Sequence, residues 1–215
     1  KGNTTSIVGV AGTTSLGTVD PVDQLSKIAL EKGLYLHVDA ALGGFVLPFL
    51  KELGYRVPPW DFSRKGVSSI TIDPHKMGMA VIPSGGIIYR NNELAETIRV
   101  PVPYLSGGEN AHATIVGTRS GASVLAVWAL LRHLGRSGYR NIVRRCMDLA
   151  RETYEQIRSI DGEEPVREPV INVLGIGSSR FDIGKIAGRL RERGWAISLF
   201  PSHIRLVFMP HVYPD

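Results

Sequence analysis

The sequence predicts an α/β fold: a large domain built on a mixed, mostly parallel sheet, followed by a small C-terminal α+β domain. Two observations predict it. Short apolar runs alternate with stretches of helical pattern through the first half, and two long helical stretches then lead into a second set of short strands. Ser6-Ile7-Val8-Gly9-Val10 reads as the first strand. A helix near 21–33 follows, with Asp20 as its N-cap and Pro21 in its first turn. Strands are expected near 34–38, 68–72 and 85–90. Gly12, Gly43, Gly44, Gly85 and Gly86 are read as turn glycines needing unusual dihedrals. Residues 99–116, rich in Pro and Gly and without periodicity, read as a long loop, and loops of that length in compact domains are usually functional. Helices near 120–134 and 137–160 come next. Strands near 169–176, 194–200 and 203–209, with a helix at 181–193, complete the pattern. The expected division is a large domain over 1–135, a bridging helix over 136–160 and an incomplete small domain over 161–215.

Composition narrows the class. With 215 residues and 43% hydrophobic content the chain can bury a sizeable core, and no apolar run reaches membrane-spanning length. The net charge of +5 and pI near 9.5 raise the question of nucleic acid. That reading is set aside. Arg132, Arg136, Arg140, Arg144, Arg145, Arg151, Arg189, Arg191 and Arg193 fall in helical segments, where a solvated face is the usual explanation. The single cysteine, Cys146, excludes an intramolecular disulfide and fits a packed thiol in a reducing, cytoplasmic setting. His112, His133, His203 and His211 show no metal-ligand spacing, and His37, midway along a buried strand, reads as a satisfied core histidine.

Two strand ends carry the chemistry. Leu34-Tyr35-Leu36-His37-Val38-Asp39-Ala40-Ala41 ends in a carboxylate followed by two alanines. Ser68-Ser69-Ile70-Thr71-Ile72-Asp73-Pro74-His75-Lys76-Met77-Gly78 places a lysine just past a strand. A strand-end lysine and a strand-end aspartate suit pyridoxal phosphate, whose aldehyde needs an amine and whose ring nitrogen needs an acid partner. An aspartate beside the pyridine nitrogen keeps it protonated, so that the ring accepts the electron pair left when a bond at Cα breaks.

These motifs resemble those of the group II pyridoxal-phosphate decarboxylases of fold type I, most closely the archaeal tyrosine/aspartate decarboxylases, with sphingosine-phosphate lyase a more distant relative. Ala11-Gly12-Thr13-Thr14-Ser15-Leu16-Gly17, Gly117-Thr118-Arg119-Ser120-Gly121 and Ile204-Arg205-Leu206-Val207-Phe208-Met209-Pro210-His211 agree with the match, in the family's order. The resemblance implies that Lys76 is the Schiff-base lysine, Asp39 the ring-nitrogen partner and Ala41 a residue packed on the ring. It puts Thr14 near the ring's phenolic oxygen and His75 close to the phosphate. Asp73 orients the loop, and Thr118 reaches the neighbouring subunit's cofactor phosphate. Tyr104 is expected either to close over the site and protonate Cα or to anchor its loop to the surface. Arg205 is expected to hold a substrate carboxylate, or else a side-chain carboxylate or a structural carbonyl.

The resemblance further implies a homodimer with the active site at its interface. Family members carry a phosphate-binding helix N-terminus and a ring-stacking residue ahead of the point where this sequence opens. The expectation is therefore a C-terminal portion whose N-terminal half is a separate segment or companion chain. The implied reaction is decarboxylation of an L-amino acid, tyrosine or aspartate, to an amine. The alternatives are a carbon–carbon lyase acting on a phosphorylated amino alcohol, and a non-catalytic interaction subunit.

Overall fold

A computed structural model describes residues 2–102, 106 and 110–213. The chain opens with strand β1 (Ser6–Val10), helix α1 (Val22–Lys32) and strand β2 (Tyr35–Asp39). A 3-10 turn (Gly43–Phe45) and the short helix α2 (Leu47–Glu52) lead to β3 (Val67–Ile72), and then come β4 (Gly86–Tyr89) and helix α3 (Asn92–Glu96). These strands form one sheet in the order β1-β2-β3-β4, with β1, β2 and β3 parallel and β4 antiparallel on the edge. Parallel neighbours need crossovers, and α1 and α2 supply them. The C-terminal ends of β1, β2 and β3 therefore lie along one edge of the sheet, where open α/β sheets bind ligands.

Each crossover buries one face. Val22, Ser26 and Ala29 form the inner stripe of α1, and Gly33 ends the helix in the left-handed region at φ 63°. Asp20 is not the cap that the sequence predicts. Its carboxylate accepts the Val10 N–H at 2.8 Å, tying the helix entry back to β1, and Pro21 occupies the cap position. Of the expected turn glycines only Gly12 has a positive φ, 98°. Gly43 is needed for space instead, because a Cβ there would stand 2.1 Å from the Ala11 carbonyl oxygen.

Inside the expected 99–116 loop, β5 (Val100–Pro101) pairs antiparallel with β6 (Ala111–His112). Helix α4 (Ala122–Arg158) replaces the two predicted helices and keeps their boundary: Gly135, at φ 56° and ψ −172°, breaks it. After the break Tyr139, Val143, Cys146, Met147 and Ala150 form a buried stripe at helical spacing. Among the arginines read as a solvated face, Arg140 alone is partly buried.

Strands β7 (Glu163–Pro165), β8 (Val173–Ser178), β9 (Ser198–Leu199) and β10 (Ile204–Val207) make an antiparallel sheet in the order β7-β8-β10-β9, with helix α5 (Ile183–Glu192) between β8 and β9. The sequence places β8 too early and makes β9 too long, and it passes over α2, α3 and β7. Helix α5 has Asp182 as a working N-cap, its side chain accepting the Lys185 N–H at 2.9 Å. One core runs from Leu36, Val38, Leu47, Leu50 and Val67 through Met77, Val143 and Met147 to Ile171, Val173, Leu174 and Phe208.

Candidate active site

Asp39 is the last residue of β2, and its register partner on β3 is Thr71. Strand alternation turns Leu36 and Val38 into the core and sets Tyr35, His37 and Asp39 on the opposite face. The Asp39 Oδ1 accepts the Ala41 N–H at 3.0 Å, closing a local turn that fixes the carboxylate. Its Oδ2 takes no hydrogen bond among the described residues. Ala40 donates its N–H to the Thr71 carbonyl at 2.9 Å, so the turn after β2 is pinned to β3.

Lys76 follows β3 in a tight turn. Its N–H donates to the Asp73 carbonyl at 3.0 Å, and its Nζ pairs with Asp73 Oδ2 at 2.8 Å. His75 Nδ1 lies 2.8 Å from the Ser84 carbonyl and its Nε2 3.7 Å from Asp73 Oδ2. Met79 takes φ 58°, an uncommon conformation for a side-chain-bearing residue and one that clusters at functional turns. Gly78 packs so close that a Cβ would lie 2.6 Å from the Pro74 carbonyl. The Tyr139 hydroxyl donates to the Gly78 carbonyl at 3.0 Å, and Asn172 Nδ2 lies 3.2 Å from Met77 Sδ. The lysine is thus held by α4 and by the segment entering the second sheet.

The Gly12–Gly17 turn beyond β1 is gripped by the antiparallel sheet. Arg205, on β10, donates from Nη1 to the Thr14 carbonyl at 2.8 Å and from Nη2 to Ser198 Oγ at 2.9 Å; its Nε is buried without a partner. His203 Nε2 lies 3.0 Å from Ser15 Oγ, and its ring stacks on Phe200. Of the three expectations for Arg205, the contact with a structural carbonyl is the one present.

The structure therefore brings Asp39, Ala41, Asp73, His75 and Lys76 to neighbouring strand ends, with Thr14 on the adjoining turn. It does not bring Thr118 to them: that residue is exposed, while Arg119 and Ser120 border an open cleft of about 700 Å³ against Pro74, Pro83 and Ser84. Neither Lys76 nor Asp39 lines that cleft. Tyr104 lies outside the described residues. His37, read from the sequence as a satisfied histidine, is half-buried and bonded at both ring nitrogens: Nδ1 lies 2.7 Å from Ser69 Oγ and Nε2 3.0 Å from Thr71 Oγ1. Its spacing of two from Asp39 on one strand was the available signal.

These residues fit a pyridoxal phosphate. An unengaged carboxylate oxygen, an amine in the turn after the next strand and the small Ala41 beside the carboxylate are the acceptor, nucleophile and space that such a ring needs. The pyridoxal-dependent decarboxylase conserved domain matches residues 1–174. The chain belongs to that family. Its cofactor is pyridoxal phosphate, as the residues predict, and the fold is the type I arrangement of these enzymes. A probable L-aspartate decarboxylase of Pyrococcus abyssi is 55% identical over 210 residues, which are 98% of this chain and 54% of the relative. A probable L-tyrosine/L-aspartate decarboxylase of Methanothermobacter thermautotrophicus is 46% identical, over 99% of this chain and 58% of the relative. The chain thus spans a little over half the length of these curated relatives. A solved sphingosine-1-phosphate lyase of Burkholderia pseudomallei superposes with a TM-score of 0.90 at 32% identity, over 97% of this chain and 48% of that one.

Among the described residues no group of three or more His, Cys, Asp or Glu is arranged to hold a metal, and no helix is long and apolar enough to cross a membrane. Cys146 is buried, and burial pushes its thiol up to about 11, against the opposing pull of Arg145; it takes no part in the site.

Proposed function

We propose that this chain carries the lysine and ring-nitrogen half of an L-amino-acid decarboxylase whose preferred substrate is aspartate, with tyrosine second. The observation behind this reading is the placing of Asp39 at the end of β2 and of Lys76 in the turn after β3, its parallel neighbour, with an Asp39 oxygen unengaged among the described residues. The substrate choice rests on the names of the relatives at 55% and 46% identity.

Bound pyridoxal phosphate supplies a protonated ring that draws electrons from a bond at the substrate's Cα. Lys76 Nζ would be the amine that bonds the aldehyde and would afterwards stand by as a proton carrier, aimed by Asp73. Asp39 Oδ2 would keep the ring nitrogen protonated, and Ala41 would leave room for the ring face. Thr14 would serve the phenolic oxygen, His75 the phosphate, and Thr118 the phosphate of a second subunit. Tyr104 would either deliver the proton to Cα or anchor its loop to the surface. Arg205, whose Nη1 holds the Thr14 carbonyl and whose Nε is buried, would fix the turn that carries Thr14 rather than grip a substrate carboxylate.

A homodimer is part of this reading. Ile115, Val116, Val124, Leu125 and Trp128 are exposed apolar side chains on and just before α4, a grouping that marks an interaction surface.

The test is carbon dioxide release by the cofactor-loaded enzyme from L-aspartate, L-tyrosine and L-glutamate. The reading expects the highest kcat/KM for aspartate and fails if none of the three yields carbon dioxide. Asp39→Asn should keep part of the cofactor binding and lose about 10²- to 10³-fold in kcat, the scale for one preorganised electrostatic group; unchanged turnover would contradict its role. The likeness to the Burkholderia lyase supports a second reading. An aldehyde formed from a phosphorylated amino alcohol without carbon dioxide would select it.

A further inference from the structure

We infer that His37 is a positioning residue for Asp39: a neutral imidazole, clamped between two hydroxyls of the neighbouring strand, that supports the carboxylate while leaving its charge to the cofactor's ring nitrogen. The inference rests on the reading of Asp39 as ring-nitrogen partner.

The geometry begins in the strand. His37 and Asp39 share a face of β2, about 6.6 Å apart along the chain. The register pairs His37 with Ser69 and Asp39 with Thr71. The imidazole does not stop at its own level: Nδ1 meets Ser69 Oγ at 2.7 Å, and Nε2 reaches Thr71 Oγ1 at 3.0 Å. The ring therefore spans from its own partner to that of Asp39. One side of the Asp39 carboxylate is fixed by the Ala41 N–H, and the imidazole holds the Thr71 hydroxyl at the level of Asp39's register partner.

A merely space-filling role would not need two hydroxyls. Both ring nitrogens carry lone pairs or hydrogens that must be matched when half-buried, and serine and threonine hydroxyls rotate to match either neutral tautomer. Around the ring stand Tyr35 and Asp39 on its own strand, Ser69 and Thr71 on β3, and Val8 across β1. Asp39 is the only charged group among them. Burial pushes the imidazole below its usual pKa, and the Asp39 charge only partly offsets that push. An imidazolium here would compete with the ring nitrogen for the carboxylate's charge; a neutral imidazole does not.

The experiment uses holoenzyme loaded with pyridoxal phosphate carrying ¹⁵N in the ring. His37→Leu should weaken cofactor affinity by about 10- to 100-fold, the range for outer partners that orient a ligating group. It should also move the ring-nitrogen signal toward the unprotonated position. His37→Gln, whose amide reaches Thr71, should restore most of both. A His37→Leu holoenzyme with unchanged affinity and ring-nitrogen signal overturns the inference, even if its melting temperature falls. Should that variant fail to fold, Thr71→Val removes only the hydroxyl at Nε2 and should move the signal the same way; an unmoved signal there overturns the inference equally. Asp39→Asn is the separate control, since an unchanged ring-nitrogen signal in that variant sinks the assignment of Asp39 itself.

Discussion

The turn that carries Lys76 touches one cleft only through Pro74, the segment from Ile115 to Leu131 meets the same cleft through residues between Arg119 and Val127, and the two regions are built on opposite principles. In the turn, the lysine amine is paired with Asp73, His75 is bonded to Ser84, Met77 is 1% exposed, and the Gly78 carbonyl is occupied by Tyr139. In the segment, Ile115 is fully exposed, and Val116, Val124, Leu125 and Trp128 all lie above 60%. The first region is satisfied within the chain. The second offers apolar area that becomes useful only when something covers it. The Lys76 amine is thus held within the chain, while the apolar area of the segment stays open.

The sharpest break in the comparison comes from the amine. Lys76→Ala should leave nothing for borohydride to fix and lower turnover by more than about 10²- to 10⁴-fold, the contribution of acid–base catalysis alone; peptide mapping after borohydride checks this. Next is packing beside the site. Gly43→Ala drives a methyl into the Ala11 carbonyl and should cost about 3 kcal/mol, the upper end for overpacking, in denaturant unfolding. Tyr139→Phe leaves the Gly78 carbonyl buried without its donor and should cost about 1–3 kcal/mol by the same measurement. The smallest effect belongs to the exposed segment. Trp128→Ser should change the stability of the dilute protein by no more than roughly 0.5 kcal/mol while weakening self-association in sedimentation. If Trp128→Ser destabilised the dilute protein as much as Tyr139→Phe does, the contrast between the two regions would collapse.

Much of the scaffold is legible in the sequence, because local pattern and tertiary need agree there. The runs near 34–38 and 68–72 give β2 and β3, and with them the position of Asp39 at a strand end and of Lys76 just past one. Gly135 separates two helical patterns and breaks α4 where expected. The readings that fail do so where distant groups decide. Asp20 has the right chemistry for a cap, yet its carboxylate is claimed by Val10, ten residues earlier. Gly43 looks like a turn glycine, but its reason is the closeness of Ala11. The contacts of Arg205 with Thr14 and of His203 with Ser15 join residues 191 and 188 positions apart, and no local pattern encodes them. Helices α2 and α3 are only six and five residues long, too short for a helical period to declare itself.

The hydroxyl of Tyr139 has a mechanical meaning as well as an energetic one. It sits four residues past the break in α4, on the half of that helix whose buried stripe continues into the core of the second sheet, and it holds the peptide two residues beyond Lys76. The amides of Met79 and Ala80 close the same turn onto Lys76 and Pro74. Their protection from solvent exchange is consequently a property of the second half of the helix, and a loosening of that half would register first as exchange beside the lysine.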